Sequence, residues 1–315
     1  MAAMSRTTLG VLLALVVYLL YTTGDALVKA VGDRLGIFEI GLLVTLFSLL
    51  PGIFAKPRGE TWRDAVRVVH PIEANIIGIL RTGASMLITY SFVTIPLAEA
   101  YCIVFLIPVF ITILSVIVLR EDVSLERWVL MIVSFLAVVV VVRPGFRELE
   151  LGHLTALGCA LCAAGATTLT RRVATTEKRF VLFLLPGLYT VAFNVVALAI
   201  IGFNWPGTWD LLLLLAAGLL GGFAFILFIA ALTMAPANRI APRQYSQVVG
   251  ALIFGVLFFK ELPDELALAG LTVLILAGIA NVLADGARAR ISSRWAEYRA
   301  RRESNPPPPV DGPRI

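Results

Sequence analysis

The 315 residues are 59% hydrophobic and only 15% charged, with a mean hydropathy of +0.91. Soluble domains carry about a quarter charged residues, so this composition excludes a water-soluble globule. The net charge of +5 lies in loops and in a C-terminal tail, which gives no reason to expect a nucleic-acid partner.

Apolar runs long enough to cross a hydrocarbon core of about 30 Å as helices fall at 8–31, 36–55, 73–95, 97–119, 127–143, 153–171, 180–203, 208–234, 237–259 and 264–284. No alternating pattern of the kind a membrane β-barrel needs is present. The expected fold is therefore all-α and integral to the membrane, with ten transmembrane helices. The segment Met1–Tyr21 has the look of a signal peptide, but ahead of nine further runs it reads as an uncleaved first helix.

Ionisable groups inside spans are costly, so they mark paths or partners. The first span carries Asp25 and Lys29 on one face, at i,i+4. They read either as a self-neutralising pair or as part of a transport path. The third span carries Arg81, about 12 Å beyond its start at 1.5 Å per residue, and further on Tyr90. No opposite charge stands one turn from Arg81, so its partner must come from another helix, a backbone carbonyl or a solute. The fourth span opens Pro96-Leu97-Ala98-Glu99-Ala100-Tyr101. Glu99 reads as an interfacial carboxylate or as a proton acceptor. Pro108, mid-span, removes a backbone hydrogen bond and bends the helix.

The sixth span is dense in Ala and Gly, and its Cys159-Ala160-Leu161-Cys162 reads as small packing residues. Together with the scattered His70 and His153, these cysteines form no metal-ligand cluster, so neither a metal nor a cofactor is expected. Trp205 and Trp209 bracket a short turn and read as an interfacial aromatic anchor. Gly218 and Gly222 form GxxxG in the eighth span, which lets another helix approach closely. The ninth span has the densest polar group: Arg243, Gln244, Tyr245, Ser246 and Gln247, after Pro242. Such a group faces a cavity, an entrance or neighbouring helices, not lipid. Beyond residue 284 the chain turns basic and Pro-rich, suited to the anionic inner leaflet.

The second half repeats the first. Pro96 falls on Pro236, Leu119-Arg120-Glu121 on Phe259-Lys260-Glu261, and Leu136-Ala137 on Leu276-Ala277, each 140 residues apart. Five spans per half is an odd number, so the halves cross the membrane in opposite senses. Basic residues on the side that holds both termini outnumber those opposite by roughly four to one, which puts the termini in the cytoplasm. The expected units are a first repeat at 8–143, a second, inverted repeat at 153–284 and a tail at 285–315.

Several motifs together carry a family resemblance. In the first half they are Asp25-Ala26-Leu27-Val28-Lys29, Ile95-Pro96-Leu97-Ala98-Glu99-Ala100, Pro108, Arg127-Trp128 and Val142-Arg143-Pro144-Gly145. In the second half they are Ala241-Pro242-Arg243-Gln244-Tyr245, Phe259-Lys260-Glu261-Leu262-Pro263 and Ala269-Gly270. The chain resembles the drug/metabolite transporter superfamily in its EamA-type branch, nearest the bacterial group with S-adenosylmethionine uptake and riboflavin transporters. Many EamA repeats end their fourth and ninth helices in Gly-Glu, where this chain has Arg120-Glu121 and Lys260-Glu261.

The resemblance implies two inverted five-helix repeats and transport of small organic solutes, in either direction. The expected activity is secondary transport of a polar or amphipathic metabolite across a bacterial inner membrane by alternating access, by a monomer or homodimer. No P-loop pattern for nucleotide binding is present. The expected solute contacts are Arg81, Tyr90, Tyr101, Arg243, Gln244, Tyr245 and Gln247. Asp25, Lys29 and Glu99 are the expected coupling or gating groups. A structural or lipid-interacting membrane protein is the alternative class. An integral-membrane enzyme would need a convergent His/Asp/Glu/Cys set, which the sequence lacks.

Overall fold

The computed structural model describes residues 6–54, 61, 64, 66–114, 116–117, 125–142, 149–173, 176–234, 244, 246–277 and 280. Arg243, Tyr245, Arg120-Glu121 and the tail at 285–315 lie outside the described residues. The helices are α1 (Arg6–Val31), α2 (Ile37–Phe54), α3 (Pro71–Thr94), α4 (Leu97–Val104), α5 (Ile107–Leu114), α6 (Leu125–Val142), α7 (Leu151–Val173), α8 (Arg179–Ile201), α9 (Thr208–Met234) and α10 (Ser246–Phe259). A last helix, α11, spans Glu265–Ala277. Among the described residues there is no strand.

Among the described residues, six helical segments are long and apolar enough to cross a membrane: Thr8–Val31, Pro71–Thr94, Leu97–Leu114, Leu151–Thr170, Phe180–Ile201 and Thr208–Phe228. Four shorter apolar helices accompany them, at Ile37–Gly52, Met131–Val141, Ser246–Phe259 and Glu265–Ala277. The surface is apolar as well: Leu19, Ile79, Ile132, Val196, Leu212 and Val249 all point outward and are exposed. So large an apolar surface is a liability in water and a match for lipid.

The fourth span is not one continuous helix from 97 to 119. It breaks at Phe105–Leu106, between α4 and α5. Pro108 has no N–H to give the Val104 carbonyl, and the Leu106 N–H turns instead to the Ile103 carbonyl at 2.9 Å. The chain tightens for one turn and resumes as α5.

The helices pair across the two halves. α1 packs on α9 and α3 on α7; α2 packs on α9 and α3 on α8; α1 packs on α10, and α7 on both α4 and α5. One apolar core joins Leu97, Ala100 and Cys102 of α4 to Val141 of α6, Ala156 of α7, Ala251 of α10 and Leu274 of α11. A second joins Val31 of α1, Ile40 of α2 and Leu214 and Ala217 of α9.

The GxxxG pair sets the α2–α9 approach. A Cβ on Gly218 would lie 2.7 Å from the Val44 carbonyl oxygen, and one on Gly222 would lie 2.5 Å from that of Ser48. Only a residue without a Cβ permits backbones this close.

Candidate functional site

The C-terminal end of α1 is tied down by its lysine. Lys29 Nζ lies 2.8 Å from Glu261 Oε1 and donates to the carbonyls of Phe92 at 3.0 Å and Ile95 at 2.7 Å. The ammonium also stands over the Phe259 ring, 5.5 Å from its centroid. Glu261 Oε2 accepts from the Leu97 N–H at 3.1 Å, so this carboxylate holds α1 and the start of α4 at once.

The backbone is bent to make this possible. Lys260, directly after α10, adopts a left-handed φ of 57°, and the Glu261 N–H closes back on the Gly255 carbonyl at 3.0 Å. The turn aims the next carboxylate at α1. Many EamA repeats have glycine at this position, and glycine adopts such a φ without steric penalty.

Asp25 does not pair with Lys29. The Tyr101 hydroxyl donates to Asp25 Oδ2 instead, so the two α1 charges have different partners, and the reading as a self-neutralising pair fails. Tyr101 is buried between Phe92 and Phe105, with ring centroids 5.5 and 6.4 Å away. On α1 the neighbouring Thr22 meets α10, where a Cβ on Gly250 would come within 3.1 Å of its methyl group. A stack of α1 contacts therefore runs from Thr22 on α10, through Asp25 on α4, to Lys29 on Glu261.

Arg81 stands ten residues beyond Pro71 in α3, about 15 Å along the helix at 1.5 Å per residue. Its side chain is exposed, yet the groups that feel its charge belong to the bundle: Tyr21 of α1 and Cys159 of α7. Asp25 acts on the same tyrosine and the same cysteine. No salt bridge joins Asp25 to Arg81, and Arg81 has no hydrogen-bond partner among the described residues. Lys29 has three oxygen acceptors, whereas Arg81 has none among the described residues.

The remaining expected contacts scatter. Tyr90 is nine residues from Arg81, half a turn away around α3, so the two do not share a face. Gln247 is buried in the first turn of α10, one turn before Gly250. Gln244 is partly buried ahead of that helix. Glu99 lies 3.1 Å from Nε2 of His153, the third residue of α7, while His153 Nδ1 accepts from the Glu150 N–H at 3.1 Å. That fixes the imidazole and links α4 to α7. Glu99 and Glu261 also line one pocket, with Pro96, Gly255, Pro263 and Leu271.

The α7–α8 turn is held by a different carboxylate. Glu177 accepts the N–H groups of Val69 at 2.9 Å, His70 at 2.8 Å and Lys178 at 3.0 Å. Burial pushes its carboxyl up, but these three donors and the nearby His70 outweigh that and hold it below the usual carboxylate range. At the start of α9, Asp210 pairs with Arg34 at 2.8 Å. That hydrogen-bonded pair raises the already high guanidinium pKa.

Sequence reasoning did not find Glu261 as the partner of Lys29, His153 as that of Glu99, or Glu177. Glu261 was within reach, because it repeats Glu121 and the expected topology puts it on the same side as Lys29. The other two depend on loop paths that no periodicity encodes.

The EamA-like transporter family model matches residues 8–143 and again 150–284. The S-adenosylmethionine uptake transporter of Rickettsia prowazekii is 26% identical over 258 residues, covering 80% of this chain and 84% of that protein. Human solute carrier family 35 member G1 is 27% identical, covering 86% and 78% respectively. The pseudopaline exporter CntI of Pseudomonas aeruginosa is 26% identical, covering 86% and 95%. One solved crystal structure shares the fold with a TM-score of 0.65 at 21% identity, covering 90% of this chain and 99% of that one. A family model that takes in both halves of the chain and the motifs around Lys29, Glu99 and Glu261 makes this protein a member of the EamA-like transporter family.

Proposed function

We propose that this membrane transporter is a secondary carrier that moves a small polar or amphipathic organic metabolite across the inner membrane by alternating access. The observation that carries this reading is Arg81, an exposed guanidinium on the α3 face that also carries the buried Ala74, Ile77 and Ala84, without a hydrogen-bond or ion-pair partner among the described residues. A protein with a purely structural role gains nothing from such a charge, whereas a carrier needs one polar point that the solute completes.

The helix pairing supports two inverted five-span repeats. If α1, α2, α3, α4 with α5, and α6 correspond to α7, α8, α9, α10 and α11, then the α1–α9 contact corresponds to α7–α3. By the same exchange, α2–α9 corresponds to α8–α3, and α1–α10 to α7 with α4 and α5. The most extensive contacts come back when the halves are exchanged, whereas the smaller α1–α3 and α2–α3 contacts have no counterpart of similar extent in the second half among the described residues. In this ten-span arrangement both termini are cytoplasmic, and Lys29 with Glu261 closes the outer side.

Asp25 and Glu99 are the candidate coupling groups, and Lys29 is the gate. Tyr101 positions Asp25, and Gln244 and Gln247, with Arg243 and Tyr245, border the solute path. Export is the second reading, supported by the relative named as a pseudopaline exporter, since alternating access runs in either direction.

The test is counterflow in liposomes that hold the purified full chain, with labelled S-adenosylmethionine as the first probe and a set of amino acids, nucleosides and vitamins after it. Saturable exchange of at least one of them is expected. Absence of exchange for every probe, from folded protein, overturns the carrier reading.

A further inference from the structure

The sequence leaves Arg81 three possible partners: another helix, a backbone carbonyl or the solute. The structure removes the first two among the described residues. Lys29 has taken Glu261 and the two free carbonyls at the end of α3. Asp25 is engaged by Tyr101 and Glu99 by His153, and Tyr21 and Cys159, which feel the charge of Arg81, make no hydrogen bond to it among the described residues. The α3 start, Pro71, is about 15 Å away along the helix, too far for the guanidinium to reach the membrane surface along α3. A cation left uncompensated in a low-dielectric bundle is costly unless an anion meets it.

From this we infer that the transported solute carries an oxyanion, a carboxylate or phosphate group, that docks on Arg81. The inference rests on the carrier reading and names the chemistry of its solute. A guanidinium presents five donors in a planar fork, which takes both oxygens of a carboxylate or phosphate in parallel hydrogen bonds. The exposed side chain gives such a group a way in. Arg81 lies on the face of α3 that also carries the buried Ala74, Ile77, Gly78 and Ala84, the face turned to the other helices and not to lipid. Asp25 stays within electrostatic range of Tyr21 and Cys159 but out of ion-pair contact with Arg81, so the guanidinium is left to the incoming anion.

The experiment is a melting-temperature screen of the purified full chain in detergent, without added lipid. The probes pair an acid with a neutral compound on the same ring: benzoate with benzamide, 3-phenylpropionate with 3-phenylpropionamide, and phenyl phosphate with phenol. A ligand that binds only the folded state raises its stability. At least one acid is expected to raise the melting temperature while its neutral partner does not. Arg81→Gln is expected to lose that difference. Arg81→Lys, which keeps the charge without the fork, is expected to need at least tenfold more acid for the same shift.

Equal responses to acid and neutral partner, no acid response across the panel, or an acid response that survives in folded Arg81→Gln would each overturn the inference. The carboxylate and phosphate arms separate the two oxyanion sources. Liposome counterflow separates this result from the carrier reading. Exchange confined to solutes without an anionic group, unaffected by Arg81→Gln, sinks the inference and leaves the carrier. Arg81-dependent acid binding without any flux sinks the carrier and leaves the anion site.

Discussion

Lys29 and Arg81 are two cations inside neighbouring helices of one bundle, and the protein treats them oppositely. Lys29 is mostly buried, with three oxygen acceptors within 3.0 Å. Arg81 is exposed and has no hydrogen-bond or ion-pair partner among the described residues. The lesson is about where the bundle spends its polar groups. At the end of α1, charge is used to bind helices together, so its removal is a stability problem. Midway along α3, charge is left for something that comes and goes, so its removal is a problem of activity.

The largest effect expected from this contrast is at the tied cation. Lys29→Met leaves the Glu261 carboxylate with the Leu97 N–H alone and takes the donor from two carbonyls, which costs about 3 kcal/mol. A fall in the melting temperature of purified protein checks it. Lys29→Met combined with Glu261→Met is expected to recover most of that loss, because an apolar pair replaces the ionic one. A single variant as stable as the wild type would erase the distinction between the two cations.

A smaller effect sharpens the same picture. The turn that aims Glu261 is built on Lys260 at a φ of 57°, a conformation that costs an L side chain roughly 1–2 kcal/mol. Lys260→Gly relieves the crowding and gives back part of it as unfolded-chain entropy. The melting temperature is expected to rise by the equivalent of about 0.5–1 kcal/mol. A lower melting temperature would mean that the Lys260 side chain, and not its backbone, matters at the latch.

Much of the fold was legible because hydrophobic periodicity encodes it. The span at 208–234 coincides with α9, and the Gly218–Gly222 pair foretold the close approach to α2. Pro108 foretold a bend, and the α4–α5 break is its outcome. The candidate site was legible only in its residue types. Spacing put Asp25 and Lys29 on one face and suggested a pair, whereas packing sends one to Tyr101 and the other to Glu261. Tyr90 and Arg81 were both expected to meet the solute, and helix rotation sets them half a turn apart around α3. Long-range partners such as His153 for Glu99 depend on which helices pack together, and periodicity within one helix carries no such information.

The most direct test of the central claim, that Arg81 serves the solute and not the fold, measures flux and melting temperature on one sample of Arg81→Gln. The account predicts a melting temperature within about 0.5 kcal/mol of the wild type, as for a side chain without structural partners, together with loss of saturable exchange in liposomes. A variant that melts early yet exchanges solute at the wild-type rate would contradict it, because Arg81 would then be a structural residue.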